Sequence, residues 1–427
     1  MADSDATVGG RTSLHRSGRI YALLLLTALS AVNQLDRQLI NILIEPIRLE
    51  FGLGDFQLGL LSGFSFVVLY GLLSVPAAHY AVRIGSRNML SAAALIWGGM
   101  TLASGFAQSY VHLLLARIGV GFGEAGGMPP SHAMISNLYG PAERGGAMAT
   151  WSSGVNVGIF LSFLGGGYIG NHYGWRAAFV VAGLLTIALA VVLRISIREP
   201  RRLSADAPRE RRRGLVLATA KVMWRDSVLR QIWIAGTLAA ITGYASLAWV
   251  PAYLVRTHGL NIAQVGLYFA LVAGLGGALG TFLGGVISDR VRARDVRWSV
   301  WLVGVCLAIC KPVVIFFLLT DDTAVALTLF IAPAMIASIY LGPSLALLHN
   351  RVETVDVDMR PMASALYLLT LNVVGFGLGP VLVGAMSQWV FHASGAGSLR
   401  YALVAMQIGG LVATLHFFIA GARLRSA

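Results

Sequence analysis

Four ionisable residues stand inside stretches otherwise apolar enough to cross a membrane: Asp36 and Arg37 in the first such stretch, Arg117 and Glu124 in the fourth. An ionised side chain near the centre of a bilayer costs about 2.5–3.5 kcal/mol on insertion scales, so such groups face a cavity and take partners. Arg117 and Glu124 are seven residues apart. That spacing is two helical turns, so both lie on one face and can line one cavity. A guanidinium beside a carboxylate favours its ionised form, whereas desolvation and loss of that neighbour favour the proton. The chemistry open to this set is therefore proton exchange linked to capture of an anion. An ion-pair network with a structural role alone is the alternative, weakened because buried pairs contribute little net stability.

The elements that must position these groups follow from composition. The chain has 427 residues, of which 56% are hydrophobic and 12% charged, about half the charge of a soluble protein. Mean hydropathy is +0.73. A span needs roughly 20 predominantly apolar residues, and runs near 19–44, 56–80, 88–107, 110–138, 145–170, 174–197, 229–255, 263–287, 299–319, 324–349, 361–389 and 399–421 meet that need. The expectation is an all-α membrane protein of about twelve transmembrane helices. Its divisions are an N-terminal tail over 1–18, a six-helix bundle over 19–197, a basic linker over 198–228, a second six-helix bundle over 229–422 and a short tail over 423–427. The first apolar run contains Asn33, Gln34, Asp36 and Arg37 and no small-residue cleavage site, so it reads as a span rather than a signal peptide.

The net charge of +13 excludes nucleic-acid binding as its first explanation, because the basic residues lie between spans and not on a soluble surface. Lys/Arg asymmetry sets orientation instead. With the N-terminus in the cytoplasm, that side receives the linker and most loop arginines, leaving Arg48, Arg176, Arg256 and Arg400 opposite. Both termini are expected in the cytoplasm, and the location expected is a bacterial inner membrane. Cys306 and Cys310 lie one turn apart in an apolar run and read as helix packing. Nucleotide-binding and metal-ligand patterns are absent, so neither a cofactor nor a metal is expected, and energy must come from an ion gradient or the substrate's own gradient. No nucleophile with a base and orienter is apparent, so an enzyme is not expected. Small residues inside spans, such as Gly119, Gly121 and Gly123, allow close helix approach in lipid. Met128-Pro129-Pro130, Pro343 and Gly379-Pro380 are candidate bends.

Several motifs carry a resemblance. The loops after the second and eighth spans hold Arg83, Gly85 and Arg87 in one half and Gly285-Val-Ile-Ser-Asp289-Arg290 in the other. They resemble the Gly-x-x-x-Asp-Arg loop of the major facilitator superfamily, although Ala78 and Val82 replace the Gly and Asp of the first copy. Arg117-x-x-x-Gly121-x-Gly123-Glu124-Ala125 resembles that superfamily's fourth-helix motif. Asn33-Gln34-Leu35-Asp36-Arg37 is similar to the Asn-x-x-Asp-Arg pattern of its spinster-like group and, more loosely, of its organic anion:cation symporters. Gly54-Asp55, Glu143-Arg144 and Arg198-Glu199-Pro200 also look like the spinster group. The resemblance is specific over roughly residues 30–200. It implies the major facilitator fold, two pseudo-symmetric bundles, alternating access about a midplane site, and a cytoplasmic latch formed by Arg83, Arg87, Asp289 and Arg290.

On this reading Asp36 or Glu124 is the proton site and Arg37 or Arg117 the anchor for an anionic group, with symport, antiport and uniport all open. Asn33, Tyr70, Tyr244 and Trp249 are further substrate-binding candidates. His79, His112, His132 and His349 read as interfacial, and Lys311 as snorkelling to an interface. The second half offers chiefly apolar residues with Tyr, Trp, Ser and Thr. That asymmetry suits an amphipathic substrate, its head on the Arg/acid cluster and its tail in the second half, and the spinster-like resemblance implies a lysophospholipid-like or sphingolipid-like one. The expected partners are this substrate, protons and membrane lipids, and the expected state is a monomer. The rivals are a small organic anion or drug carrier and, from a different class, a non-transporting receptor or scaffold.

Overall fold

Inside a bilayer every backbone N–H and C=O must be satisfied within the protein, so long apolar runs become helices. The computed structural model describes residues 16–198, 209–337, 339–353, 355–356 and 359–424, and no strand occurs among them. The first half comprises α1 (Arg16–Phe51), α2 over 55–84, α3 (Ser86–Ser104), α4 over 110–138, and α5 and α6 over 141–173 and 174–196. The last two form one rod bent at Gly174, whose φ of 82° is a conformation that glycine adopts without a Cβ penalty. A linker helix, α7 (Arg209–Arg225), follows. The second half comprises α8 (Ser227–His258), α9 (Ile262–Arg292), α10 (Trp298–Leu319), α11 over Thr323–Ile336 and Leu341–Glu353, α12 (Met359–Val390) and α13 (Ser398–Arg423). Among the described residues, six such elements thus stand on each side of α7. The basic linker expected over 198–228 contains α7, while residues 199–208, with Arg201 and Arg202, lie outside the described residues.

The helices bend where hydropathy alone gives no warning. π turns interrupt α2 at Leu60–Phe64 and α9 at Ala270–Leu275, corresponding helices of the two halves. A third occupies Leu371–Phe376 of α12. Such bulges free local backbone groups and recur at working sites. Outside the membrane, Asp226 caps α8 by accepting from the backbone N–H of Val228 at 2.8 Å and Leu229 at 3.0 Å, and it receives Arg351 at 2.8 Å. Burial alone would raise its carboxyl, but the Leu229 N–H and Arg351 hold it below the usual carboxylate range.

Within each half, neighbouring helices approach backbone to backbone. α5 lies on α1 because a Cβ at Gly158 would strike the Ala31 carbonyl. α4 reaches α2 and α3 in the same way. A Cβ at Gly121 would strike the Phe66 carbonyl, and one at Gly123 would come within 2.6 Å of the Trp97 backbone nitrogen. Between halves, α5 meets α9 at Gly167 and Gly266, and α2 meets α12 where Gly59 faces Pro380. A buried core including Leu43, Ile47, Leu58, Trp249, Tyr253 and Phe269 joins the halves at the end of the molecule that carries Glu45. Replacing Gly121 by Val should force α4 off α2, an overpacking cost of about 1–3 kcal/mol, whereas Gly165→Ala has no neighbour within 4 Å and should be neutral. Thermal midpoints of the purified variants in detergent check this, with a lowered midpoint expected for Gly121→Val alone.

Candidate functional site

The glycines of α4 hold it close against α2 and α3, and its charged residues reach across to α1, where all four charges of the cluster find partners. Arg37 donates from Nε to Glu124 Oε2 at 2.6 Å. Arg117 donates to Asp36 Oδ1 at 3.2 Å and to the Asp36 backbone carbonyl at 3.4 Å. The side chains of Asp36 and Arg117 have no exposure, nor has Glu124, while Arg37 keeps 13%. Two acids and two guanidiniums neutralise each other, as burial of charge in an apolar medium requires. The network is nonetheless incomplete. Asp36 Oδ2, Arg117 Nε and Glu124 Oε1 are buried without a hydrogen-bond partner among the described residues.

Two features single out the Arg37–Glu124 pair. Glu124 ends the first segment of α4, where the chain turns through Ala125–Gly127 before the helix restarts at Met128 with Pro129 and Pro130 in its first turn. Proline fits there because first-turn N–H groups have no helical acceptor. The Arg37 guanidinium lies over the rings of Phe66, at 4.5 Å, and Tyr70, at 4.8 Å, both favourable cation–π contacts. From Phe66 an aromatic series continues across the halves, edge-to-face with Phe376, which meets Tyr244 edge-to-face in turn.

Tyr244 belongs to the wall of a cavity of about 340 Å³ between the halves. Gln34, Gln38 and Asn156 enter from the first half; Lys311, Tyr340, Asn372 and Gln407 enter from the second, among apolar residues such as Ile159, Phe269 and Val314. Lys311 is not an interfacial, snorkelling residue. It is 9% exposed and donates to Thr242 Oγ1 at 3.2 Å and Gln407 Oε1 at 3.1 Å. The second half is therefore not confined to apolar and hydroxyl-bearing groups. Its position carried the signal: Lys311 lies eight residues before the end of α10, roughly 12 Å along the axis at 1.5 Å per residue.

Trp249 is not at the cavity wall. It is fully buried and its indole donates to the Pro380 carbonyl at 2.8 Å, bracing α8 against α12. Asn33 is half-buried on α1, one turn before Arg37. His132 packs edge-on against Trp151, and His349 is 2.5 Å from Ser364 Oγ. Of the four latch residues, Arg83 and Arg290 are exposed, and Arg87 donates to the Ile197 carbonyl at 3.0 Å within its own half. The side chains of Asp289 and His79 lie outside the described residues.

Sequence reasoning missed the groups that fasten the halves at the opposite end. Arg256 of α8 donates to Glu45 Oε2 of α1 at 2.7 Å and to Asp55 Oδ1 of α2 at 2.8 Å. Ser387 of α12 donates to Asp55 Oδ2 at 2.6 Å, and Gln388 accepts from the Phe56 N–H at 2.9 Å. Asp55 stood out in the Gly54-Asp55 motif, but without a role. The four arginines set apart by the charge asymmetry all have carboxylate partners at this end: Arg48 with Glu45, Arg176 with Glu50, Arg256 with Glu45 and Asp55, and Arg400 with Asp321. Arg256→Gln should weaken this closure, leaving Asp55 without its arginine and Glu45 with Arg48 alone. Spin labels at the exposed positions Leu49 and Val390 should then report a longer and broader distance distribution than in the otherwise native protein.

Comparison with known proteins agrees with this architecture. The family model described as "Major Facilitator Superfamily" matches residues 26–380. The chain is 31% identical over 409 residues to an "MFS-type efflux pump" of Mycolicibacterium smegmatis, covering 94% of this chain and 92% of that protein. It is 28% identical over 342 residues to a "Probable L-galactonate transporter" of Escherichia coli, covering 77% and 72%. Its structure is similar to the crystal structure of a bacterial homolog of the human lysosomal transporter Spinster, inward-facing and unoccupied, with a TM-score of 0.85 at 27% identity over 96% of this chain and 98% of that one. With the family model matching residues 26–380 and similarity to these transporters along almost its whole length, the chain belongs to the major facilitator superfamily of membrane transporters.

Proposed function

We propose that this transporter couples protons to the movement of an amphipathic anion, lysophospholipid-like or sphingolipid-like, by alternating access. The observation that carries the reading is the bond between Arg37 and Glu124, a salt bridge at 2.6 Å at the break of α4. Arg37 is the member of the charge cluster whose side chain keeps some exposure, and in this reading its guanidinium is the one that an incoming anion captures. Arg117, fully buried against Asp36, braces the cluster instead. An anion that captures Arg37 leaves Glu124 without its cation in an apolar site, and a carboxylate so stranded takes a proton. Substrate and proton then occupy the site together with no net change in buried charge. Release of the proton restores the Arg37–Glu124 bond and expels the anion.

The halves are fastened at the end of Glu45 and Arg256, while Arg83 and Arg290 are exposed at the other. If both termini are cytoplasmic, this is an inward-facing arrangement in a cell membrane. The apolar residues of the cavity wall suit an alkyl or sphingoid chain, and the spinster-like similarity supports that class. A second reading, a carrier of small organic anions, is favoured by Lys311, Asn372 and Gln407 in the same wall; two of the relatives are described as probable L-galactonate and sulfoacetate transporters.

The test is a flux assay in proteoliposomes under an imposed pH gradient, with lysophosphatidylglycerol as the amphipath and galacturonate as the sugar acid. The expected result is proton-driven flux of the lysolipid that Asp36→Asn and Glu124→Gln abolish without loss of membrane insertion. Unchanged proton-driven flux in both variants would overturn the coupling, and flux of galacturonate alone would select the second reading.

A further inference from the structure

The charge cluster of α1 and α4 is balanced, but Lys311 is not. Its ammonium is buried in α10 and bonded to two neutral oxygens, Thr242 Oγ1 and Gln407 Oε1. Among the described residues no carboxylate makes an ion pair with it. An ammonium has three N–H donors, so one is left without a protein partner among these residues. Burying a cation without a counter-charge is costly, and four intramembrane charges of the other half avoid that cost by pairing. The exception lies at a cavity, where a ligand can supply the missing charge.

A second group in the same wall points the same way. Gln38 of α1 has no exposure. Its Oε1 accepts from Asn41 at 2.7 Å, which turns the amide so that its NH2 is the free end, and Nε2 has no partner among the described residues. Lys311 and Gln38 both line the one cavity, a cation from the second half and a neutral double donor from the first. Apolar side chains, Ile159 and Val314 among them, surround these donors. Donors of that kind within an apolar wall match an anionic group attached to a hydrocarbon body.

We propose that Lys311, held by Thr242 and Gln407 in a cavity wall shared with Gln38, is an anion-binding subsite additional to Arg37, taking a carboxylate-, phosphate- or sulfate-type group of an amphipathic ligand. The inference rests on the functional reading only in taking this cavity as the one the substrate occupies. It makes the second half a reader of charge as well as a wall for a tail. Lys311 then fixes the preference for anions, while Glu124 fixes the coupling to protons.

The test measures binding of octyl sulfate, whose charge does not titrate near neutrality, and of octyl glucoside, its uncharged counterpart in chain length, to the full-length protein in nanodiscs. In the native protein octyl sulfate should bind more tightly. Lys311→Gln should weaken octyl sulfate by at least about tenfold, the loss of a charge-assisted contact, and leave octyl glucoside unchanged; Lys311→Arg should keep most of the preference. An unchanged affinity for octyl sulfate in Lys311→Gln would overturn the proposal, as would equal weakening of both ligands, the mark of a structural role. Lys311→Met, with its thermal midpoint recorded, guards against misfolding, since removal of an unpaired buried charge should not lower it. Persistence of the Lys311-dependent preference in a protein whose flux ignores Glu124→Gln would refute the coupling and leave this subsite standing.

Discussion

A charge inside a membrane must be cancelled where it stands, and that constraint organises the first half of this transporter. Arg117 and Glu124 can reach Asp36 and Arg37 only if α4 lies close to its neighbours, and α4 does so because Gly121 and Gly123 leave no Cβ between it and the backbones of α2 and α3. The small residues and the charges are thus parts of one device: close packing positions the guanidiniums, and the guanidiniums make the carboxylates tolerable. The charges cancel but the hydrogen bonding is incomplete, with single polar atoms of Asp36, Arg117 and Glu124 lacking partners among the described residues. Such a network is better suited to exchanging partners than to holding a fold together.

The second half answers the same constraint differently. Lys311 has neutral company and a cavity beside it, so its missing counter-charge can come from outside the protein. The two halves share a pattern of π turns in α2 and α9 and small-residue contacts between α5 and α9, and they differ in where charge is balanced. In the alternating-access cycle proposed above, a ligand held by both Arg37 and Lys311 would touch both halves, and the bond of Arg256 to Glu45 and Asp55 would have to break for the other arrangement to form.

Much of this was legible in the sequence. The twelve apolar runs correspond to the helices α1–α6 and α8–α13 among the described residues, because hydropathy and length act locally along the chain. The seven-residue spacing of Arg117 and Glu124 put both on one face, as found. Which acid would meet which guanidinium was not legible, because adjacent residues such as Asp36 and Arg37 point in different directions and the answer depends on the approach of α4. Trp249 was misread for a related reason: an aromatic residue in a span looks the same whether it faces a cavity or another helix. Lys311 was misread because a lysine in an apolar run is often an interfacial one, although its depth argued otherwise. The Glu45–Arg256–Asp55 fastening consists of ordinary charges at span ends, 201 residues apart for Asp55 and Arg256, and only tertiary structure joins them.

The central claim is that Glu124 changes protonation when Arg37 leaves it. Infrared difference spectroscopy of the protein in nanodiscs, stepped between about pH 4 and pH 9 to span the carboxylate range and its shifted values, observes this through the C=O stretch of a protonated, buried carboxyl. The account predicts such a band, growing as pH falls, enlarged in Arg37→Gln at a given pH and missing from Glu124→Gln. A band that is absent throughout, or that survives unchanged in Glu124→Gln, would contradict it.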